Sequence, residues 1–402
     1  MNFWWILYLF DYLLFTFVAI TAAYLLVFSI ASLFSRHTTV PRAKHQNRFI
    51  VLIPAYKQDK VVMQSVSAML GQSYPQRMFD VVVISDHEEE MTNMRLAQLP
   101  ITLLTPDFEK SSKAKSLQFA MLNLPQFKIY DAVLILDADN VVEPEFLEQM
   151  NDAYEASGTR AIQAHRVSKN RDTTPARLDA IFEEINNSIF RRGHIAVGLS
   201  AAINGSGMVF DYEWFKSHIM LARTAGEDKE IEAMLVKEHI FVDFFDNIHV
   251  YDEKTRSTRD FNQQRTRWAT TQFHSLLNNI HYLPTAILNR HYDHADKILQ
   301  WMLVPRTIMM GIIFLMCVLL PFIYFSLVIK WWVVAAVVMF AFSLATPDYL
   351  VDKNWDKDFL MAPIVIVWGL ISIIKVGKNE ATTRAKTVVR TVNSMLPQRI
   401  NR

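Results

Sequence analysis

From Tyr12 to Phe34 the chain carries no charged residue, over a length that crosses the apolar core of a bilayer as a helix. This segment ties the chain to a membrane before any other part of it is placed. The charge ahead of it is Asp11, whereas a cleaved leader carries basic residues there, so the segment reads as a retained anchor. Arg36, Arg42, Lys44 and Arg48 follow it, and this basic flank predicts that the chain beyond lies in the cytoplasm.

The other end of the chain is also apolar. Thr307 to Ile329 is a second charge-free stretch of spanning length. After Lys330 come Trp331 to Thr346 and, past an acidic and aromatic loop, Phe359 to Ile374, both at or below the short limit for crossing. Three crossings would put the C-terminus outside. Yet Lys375, Lys378, Arg384, Lys386, Arg390, Arg399 and Arg402 outweigh Glu380 in the tail, and such a balance stays in the cytoplasm. One of the two short segments lying in the interface or re-entering would reconcile the two. The apolar fraction is 51% and the formal charge +1, so nothing here argues for a nucleic-acid partner. With Cys317 alone, no disulfide can form within the chain.

Between the membrane regions, short β-rich runs alternate with helical patterns, which predicts an α/β domain with a mainly parallel sheet. The expected strands are Phe49 to Pro54, Val81 to Ser85, Ile101 to Leu104, Ala132 to Leu136 and Ala161 to His165. Unbroken apolar runs such as Val81-Val82-Val83-Ile84 suit strands covered on both faces. The reading divides the chain into an anchor (1–36), a cytoplasmic α/β domain (48–282), an interfacial connector (283–306), a C-terminal membrane region (307–376) and a basic cytoplasmic tail (377–402).

The fourth expected strand ends in Asp137-Ala138-Asp139-Asn140. Side chains two apart on an extended segment point the same way, so both carboxylates can face one hard cation and, through it, a diphosphate. Aspartates are common in surface turns, and the pair alone is weak evidence. Its setting strengthens it. Ligands of such sheets sit beyond the carboxyl ends of the strands, where Pro54-Ala55-Tyr56, Asp86 and the aspartate pair all fall.

Taken in order from Phe49 to Trp268, these segments resemble membrane-integrated family-2 glycosyltransferases with a GT-A catalytic domain, the group of cellulose, chitin and hyaluronan synthases. The resemblance implies that Pro54, Ala55 and Tyr56 hold the base of a nucleotide sugar, that Asp86 contacts its ribose-linked base, and that Lys113, in Lys113-Ala114-Lys115-Ser116-Leu117, lies near the diphosphate. By the same resemblance Asp137 and Asp139 hold Mg²⁺ or Mn²⁺, Gly205-Ser206-Gly207 forms an acceptor loop, and Gly226-Glu227-Asp228 supplies the base, Asp228, with Glu227 beside it. Gln264-Arg265-Thr266-Arg267-Trp268 fits the Gln-x-x-Arg-Trp signature of processive synthases, with Gln264, Arg267 and Trp268 at the acceptor. One departure stands out: Lys57-Gln58-Asp59 follows the opening segment where relatives have an amide and two acids, so Asp59 could take over from a glutamate. The tail from Gly377 to Thr387 only loosely resembles the threonine-containing stretch after the last membrane helix of relatives.

The residues carry physical readings of their own. Ser111 and Ser112 are plausible caps of a helix running to about Leu122, so free amides and the Lys113 ammonium would meet an anion together. Asp228 falls at the start of a helix from Lys229 to Val236, whose dipole lowers a carboxylate, so Glu227 or burial must oppose it if Asp228 is to act as a base. On a helix Gln264, Arg267 and Trp268 share one face, where an indole can stack on a sugar and a guanidinium can meet a phosphate. His165, His194, His239 and His249 lack zinc-like spacing and read as core or surface residues. The run Asp86-His87-Glu88-Glu89-Glu90 reads as a solvated loop.

The expected function is inverting transfer from a nucleotide sugar, with UDP implied by the resemblance, to a growing β-linked polysaccharide. A single transfer to a lipid-linked or membrane acceptor is the alternative. A catalytically silent subunit of an export complex is a reading from another class, though it gives no reason to keep both the metal pair and Asp228. The expected setting is a bacterial inner membrane.

Overall fold

The computed structural model describes residues 3–35, 39–125, 127–224 and 226–351. The expectations for Phe359 to Ile374 and for the basic tail lie outside these residues.

The strands are β1 (Phe49–Tyr56), β2 (Phe79–Asp86), β3 (Thr102–Leu104), β4 (Ala132–Ile135), β5 (Val141–Val142), β6 (Ala161–Ser168), β7 (Met208–Asp211) and β8 (Val242–Asp252). They form one eight-stranded sheet in the order β3-β2-β1-β4-β7-β6-β8-β5. All five expected strands are present. The sheet is more mixed than the sequence implies, because β7 lies antiparallel between β4 and β6, and β5 antiparallel on β8, while β3, β2, β1 and β4 run parallel. A strand as short as β7 or β5 has too few residues to show its pairing partner in its own pattern.

The helices are α1 (Phe3–Ser32), α2 (Val62–Leu70), α3 (Glu90–Leu96), α4 (Lys113–Asn123), α5 (Phe146–Ser157), α6 (Thr174–Asn187), α7 (Gly193–Ala196), α8 (Tyr212–Ile219), α9 (Glu227–Lys237), α10 (Thr258–Asn279), α11 (Leu283–Leu288), α12 (Tyr292–Met302), α13 (Arg306–Ile323) and α14 (Phe325–Ala345). Strand β1 feeds both faces of the sheet. Phe49, Val51 and Ile53 pack with Val62, Val66 and Met69 of α2 on one side, and Ile50 and Leu52 with Leu117 and Met121 of α4 on the other. This two-sided burial explains the unbroken apolar runs.

A third core joins the domain to the apolar helices: Leu178, Phe182 and Ile185 of α6 pack among Leu25 and Phe28 of α1, Met309 of α13 and Trp331 of α14. Helices α1, α13 and α14 are each long and apolar enough to cross a membrane. The charge-free stretch from Thr307 to Ile329 is therefore not one span. Pro321, which cannot donate to the preceding turn, precedes an extended Tyr324, and the chain divides there into helices of 18 and 21 residues. The second helix takes in Lys330, whose ammonium donates to Asp11 of α1, while Trp331 Nε1 donates to the other Asp11 oxygen at 2.8 Å. Asp11 lies inside α1 rather than ahead of it, so two charges that looked like segment boundaries form a pair between helices.

Candidate active site

Strand ends and helix starts place the site. Beyond the ends of β1, β2 and β4 lies a cavity of about 710 Å³ lined by Tyr56, Asp86, Lys113, Asp137, Asp139 and Asp228. It continues past Gln264, Arg267 and Trp268 of α10 to Thr21 and Leu25 of α1 and to Val304, Arg306 and Thr307 at the start of α13. One space thus connects the carboxylates at the sheet with the apolar helices α1 and α13.

At the sheet end, Pro54, Ala55 and Tyr56 form part of the wall. Asp86 is buried, with Oδ1 at 2.5 Å from His87 Nδ1 and Oδ2 without a partner among the described residues. Asp59 does not line the cavity: its Oδ1 accepts from the Glu89 amide at 2.8 Å. Glu88 likewise accepts from the Gln58 amide at 2.7 Å and is buried, so the acidic run after β2 is partly built into the fold. Burial, with Asp59 and Asp86 nearby, pushes the Glu88 carboxyl up to about 7.

Lys113 is the hub of the middle. It begins α4 behind a Ser112 cap whose hydroxyl accepts from the Lys115 amide at 3.3 Å. Its ammonium lies 2.5 Å from Asp137 Oδ1, 2.6 Å from the Gly205 carbonyl and 3.6 Å from Glu227 Oε1. Burial alone would lower its pKa, but Asp137 and Glu227 outweigh it and hold Lys113 above the ordinary value. Gly205 has φ +91°, a backbone that glycine accepts without strain, and this lets its carbonyl meet the ammonium.

Asp139 is crowded. Burial, then Asp252 and Asp137, push its carboxyl up to about 7, while Asn140 Nδ2 donates to it at 3.0 Å. Asp252, at the end of β8, is neutralised by Arg166 at 2.9 Å and Lys254 at 2.8 Å, and the two cations outweigh its burial to hold it well below the usual carboxylate range. No sequence pattern marks Arg166, Asp252 or Lys254. They come from β6 and from the end of β8 and reach Asp139 only through the sheet.

Helix α9 opens at Glu227 after Gly226, and a Cβ at Gly226 would lie 2.1 Å from Thr271 Cγ2, so the residue before the acids must be small. Glu227 is buried, which pushes its carboxyl up to about 7 against the pull of Lys113. Asp228 is less buried and accepts from the Lys229 amide at 2.8 Å. Glu232, further along α9, binds Lys229 at 3.0 Å and Lys297 at 3.2 Å and accepts from the Ile203 amide at 3.1 Å, which fixes this helix against α12 and the loop before Gly205.

Of the expected acceptor loop, only Gly205 reaches the cavity. Ser206 is fully buried beneath the aspartate pair, accepting from the Asp137 amide at 3.0 Å and donating to Asn140. Gly207 is packed away too, since a Cβ there would meet Val250 Cγ2 at 2.7 Å. A small-residue motif carries no mark of which residue faces out. Gln264, Arg267 and Trp268 line the cavity together, as one helix face requires, and Gln264 Oε1 is buried without a partner among the described residues. Among the histidines, His165 is clamped between Glu184 at 2.9 Å and Asp246 at 3.1 Å.

Residues 45–271, which hold the sheet and the cavity's polar end, match the family described as glycosyltransferase like family 2. The chain belongs to that family. No curated protein matches its sequence. Among solved structures, this family-2 glycosyltransferase is similar to the mannosyltransferase PcManGT from Pyrobaculum calidifontis, in complex with GDP-Man and Mn²⁺, at 13% identity and a TM-score of 0.55 over 90% of this chain and 98% of that one. It also matches residues 1–349 of S. aureus TarS in complex with UDP-GlcNAc, at 13% identity and a TM-score of 0.42 over 83% of this chain and 92% of that one. The first likeness bears on the fold, which is a mixed α/β sheet of the GT-A kind with flanking helices. The second is too low to add to it.

Proposed function

We propose that the protein is a metal-dependent, inverting glycosyltransferase that moves a sugar from a nucleotide diphosphate donor to a lipid-linked acceptor. One observation carries this reading: a single cavity runs from Tyr56 and Asp86, past Asp137, Asp139 and Asp228, to the membrane helices α1 and α13. The donor occupies the sheet end. Asp139 and Asp137 would hold Mg²⁺ or Mn²⁺. The crowding of Asp139 by burial and by Asp137 fits a cation, whose remaining positions diphosphate oxygens and water would fill. The ion, when bound, neutralises charge on the leaving diphosphate.

Asp228 faces the cavity and takes the proton of an acceptor hydroxyl. Glu227 behind it, tied to Lys113, sets the charge around that step. Lys113 adds fixed positive charge where the leaving group's charge grows, a contribution worth about a hundred- to a thousand-fold in rate. The acceptor enters along Gln264, Arg267 and Trp268. The cavity's continuation from the carboxylates to Thr21 and Leu25 of α1 and to Val304 at the start of α13 favours a lipid-linked acceptor over a free polysaccharide. The catalytic domain then lies on the cytoplasmic side of the membrane, in line with the basic flank of α1.

Two measurements test this reading. Purified protein with divalent metal should release nucleotide from one of the common nucleotide sugars, and Asp228→Asn should abolish transfer while donor binding persists. Wild-type transfer by Asp228→Asn, or a ladder of polymer products from the native protein, would overturn it.

A further inference from the structure

We propose that Tyr24 of α1 and Lys297 of α12 are positioning residues for the transfer: through Glu232 they hold the start of α9, with Asp228, and the loop of Gly205 in one fixed arrangement with the apolar helix α1. This rests on the reading of Asp228 as the base of a glycosyltransferase.

A buried polar path joins α1 to α9. The Tyr24 hydroxyl donates to Asp296 Oδ1 at 2.7 Å, the other Asp296 oxygen accepts from Gln300 Nε2 at 2.7 Å, and Gln300 Oε1 accepts from the Lys297 ammonium at 3.1 Å. Lys297 also donates to Glu232 Oε1 at 3.2 Å. Glu232 takes two further donors, the ammonium of Lys229, next to Asp228, at 3.0 Å, and the amide of Ile203, two residues before Gly205, at 3.1 Å. One carboxylate therefore ties the helix bearing the base to the loop whose Gly205 carbonyl holds Lys113.

At its other end the path is seated by close packing of α1. His194 is fully buried, with its ring 3.8 Å from that of Phe28 and the two planes within 6°. Its Nδ1 donates to the Ile189 carbonyl at 2.7 Å, and its Nε2 lies 2.9 Å from the Tyr24 hydroxyl. A Cβ at Gly193 would lie 2.3 Å from the Phe28 carbonyl oxygen, so α1 approaches α7 backbone to backbone. A slide of α1 would break these contacts and the Tyr24 bond together.

Lys297 and Glu232 are each 1% exposed. An ion pair so deep gains little over the solvation it gives up, and apolar side chains of similar volume would pack as stably. What it supplies is geometry. A base works only within hydrogen-bond reach of the hydroxyl it deprotonates, and a displacement of about 1 Å can cost about a hundredfold in rate. The path thus makes the seating of α1 a condition of the chemistry at Asp228.

The test uses full-length protein in detergent and the nucleotide sugar from which it releases nucleotide fastest. Rates are counted per donor site by titration with the matching nucleoside diphosphate, so that a misfolded fraction does not register. Lys297→Met should lower kcat at least tenfold with donor KM within twofold of native, and Lys297→Arg should regain part of the loss. Tyr24→Phe, which removes one hydroxyl and leaves the ring beside Phe28, should lower kcat about threefold with the same split. Two residues on one path are not independent, so the double variant should stay within about twofold of Lys297→Met. A kcat within twofold of native in Lys297→Met, a donor KM that shifts as far as kcat, or losses that multiply in the double variant would overturn the proposal. Should Lys297→Met fail to fold, Tyr24→Phe decides alone, and a native kcat there sinks the idea. Native turnover with unaffected variants sinks only this inference, whereas no nucleotide release by the native protein from any nucleotide sugar sinks the glycosyltransferase reading itself.

Discussion

Replacing Lys113 with methionine keeps the stem and removes the ammonium that joins Asp137, the Gly205 carbonyl and Glu227. Two effects should follow, with a sign that only this geometry supplies. The first is loss of fixed positive charge at the leaving diphosphate, about a hundred- to a thousand-fold in kcat. The second concerns pH. Glu227 is pushed up to about 7 by burial while Lys113 holds it down, so without the ammonium it should titrate still higher. At the 3.6 Å separation, one unit charge is worth about 1 kcal/mol in water-like surroundings and about 5 kcal/mol at an effective permittivity near 20. That range corresponds to about one to four pH units. The assay is the acid limb of kcat/KM against pH at saturating metal and acceptor. It should move alkaline in Lys113→Met. A limb that stays within about half a pH unit of the native one, or moves acid, would refute the claim that Lys113 sets the charge of the base pair.

Three other outcomes follow from the same geometry. In native protein kcat/KM should rise as pH increases through about 7, and Glu227→Gln should flatten that limb, read from a pH profile at saturating Mg²⁺. The folded value of Glu227 lies above the ordinary 4.5, so its contribution to stability is complete below 4.5 and is lost as pH rises through about 7; Glu227→Gln should show a weaker fall in Tm across that window. Asp11→Leu should lower stability by about 2 to 4 kcal/mol, because it strands Lys330 between apolar helices, and adding Lys330→Leu should recover part of the loss, measured as Tm in detergent.

The sequence placed most of the framework because the signals are local. An unbroken apolar run, a serine before a lysine-led helix and an acidic pair at a strand end each depend on neighbours within a few residues, and β1, β2, β4, α4 and α9 appear where those signals put them. The cavity-lining face of α10 was legible for the same reason, since helical spacing alone puts Gln264, Arg267 and Trp268 on one face. Local reading failed where the outcome depends on distant partners. Ser206 and Gly207 share a motif with Gly205, and only the packing of Val250 and Asn140 decides that they turn away from the cavity.

What this chain determined by itself is therefore its set of elements and the order of its chemical groups: a long apolar helix, a sheet domain whose strand ends bear carboxylates, and apolar helices after it. The tertiary structure decided which charges are cancelled. Arg166 and Lys254 neutralise Asp252, Asp11 neutralises Lys330, and Lys113 bridges Asp137 and Glu227. Charge compensation in a buried site is set by contacts of a few ångströms between residues far apart in the chain, and no local pattern encodes them.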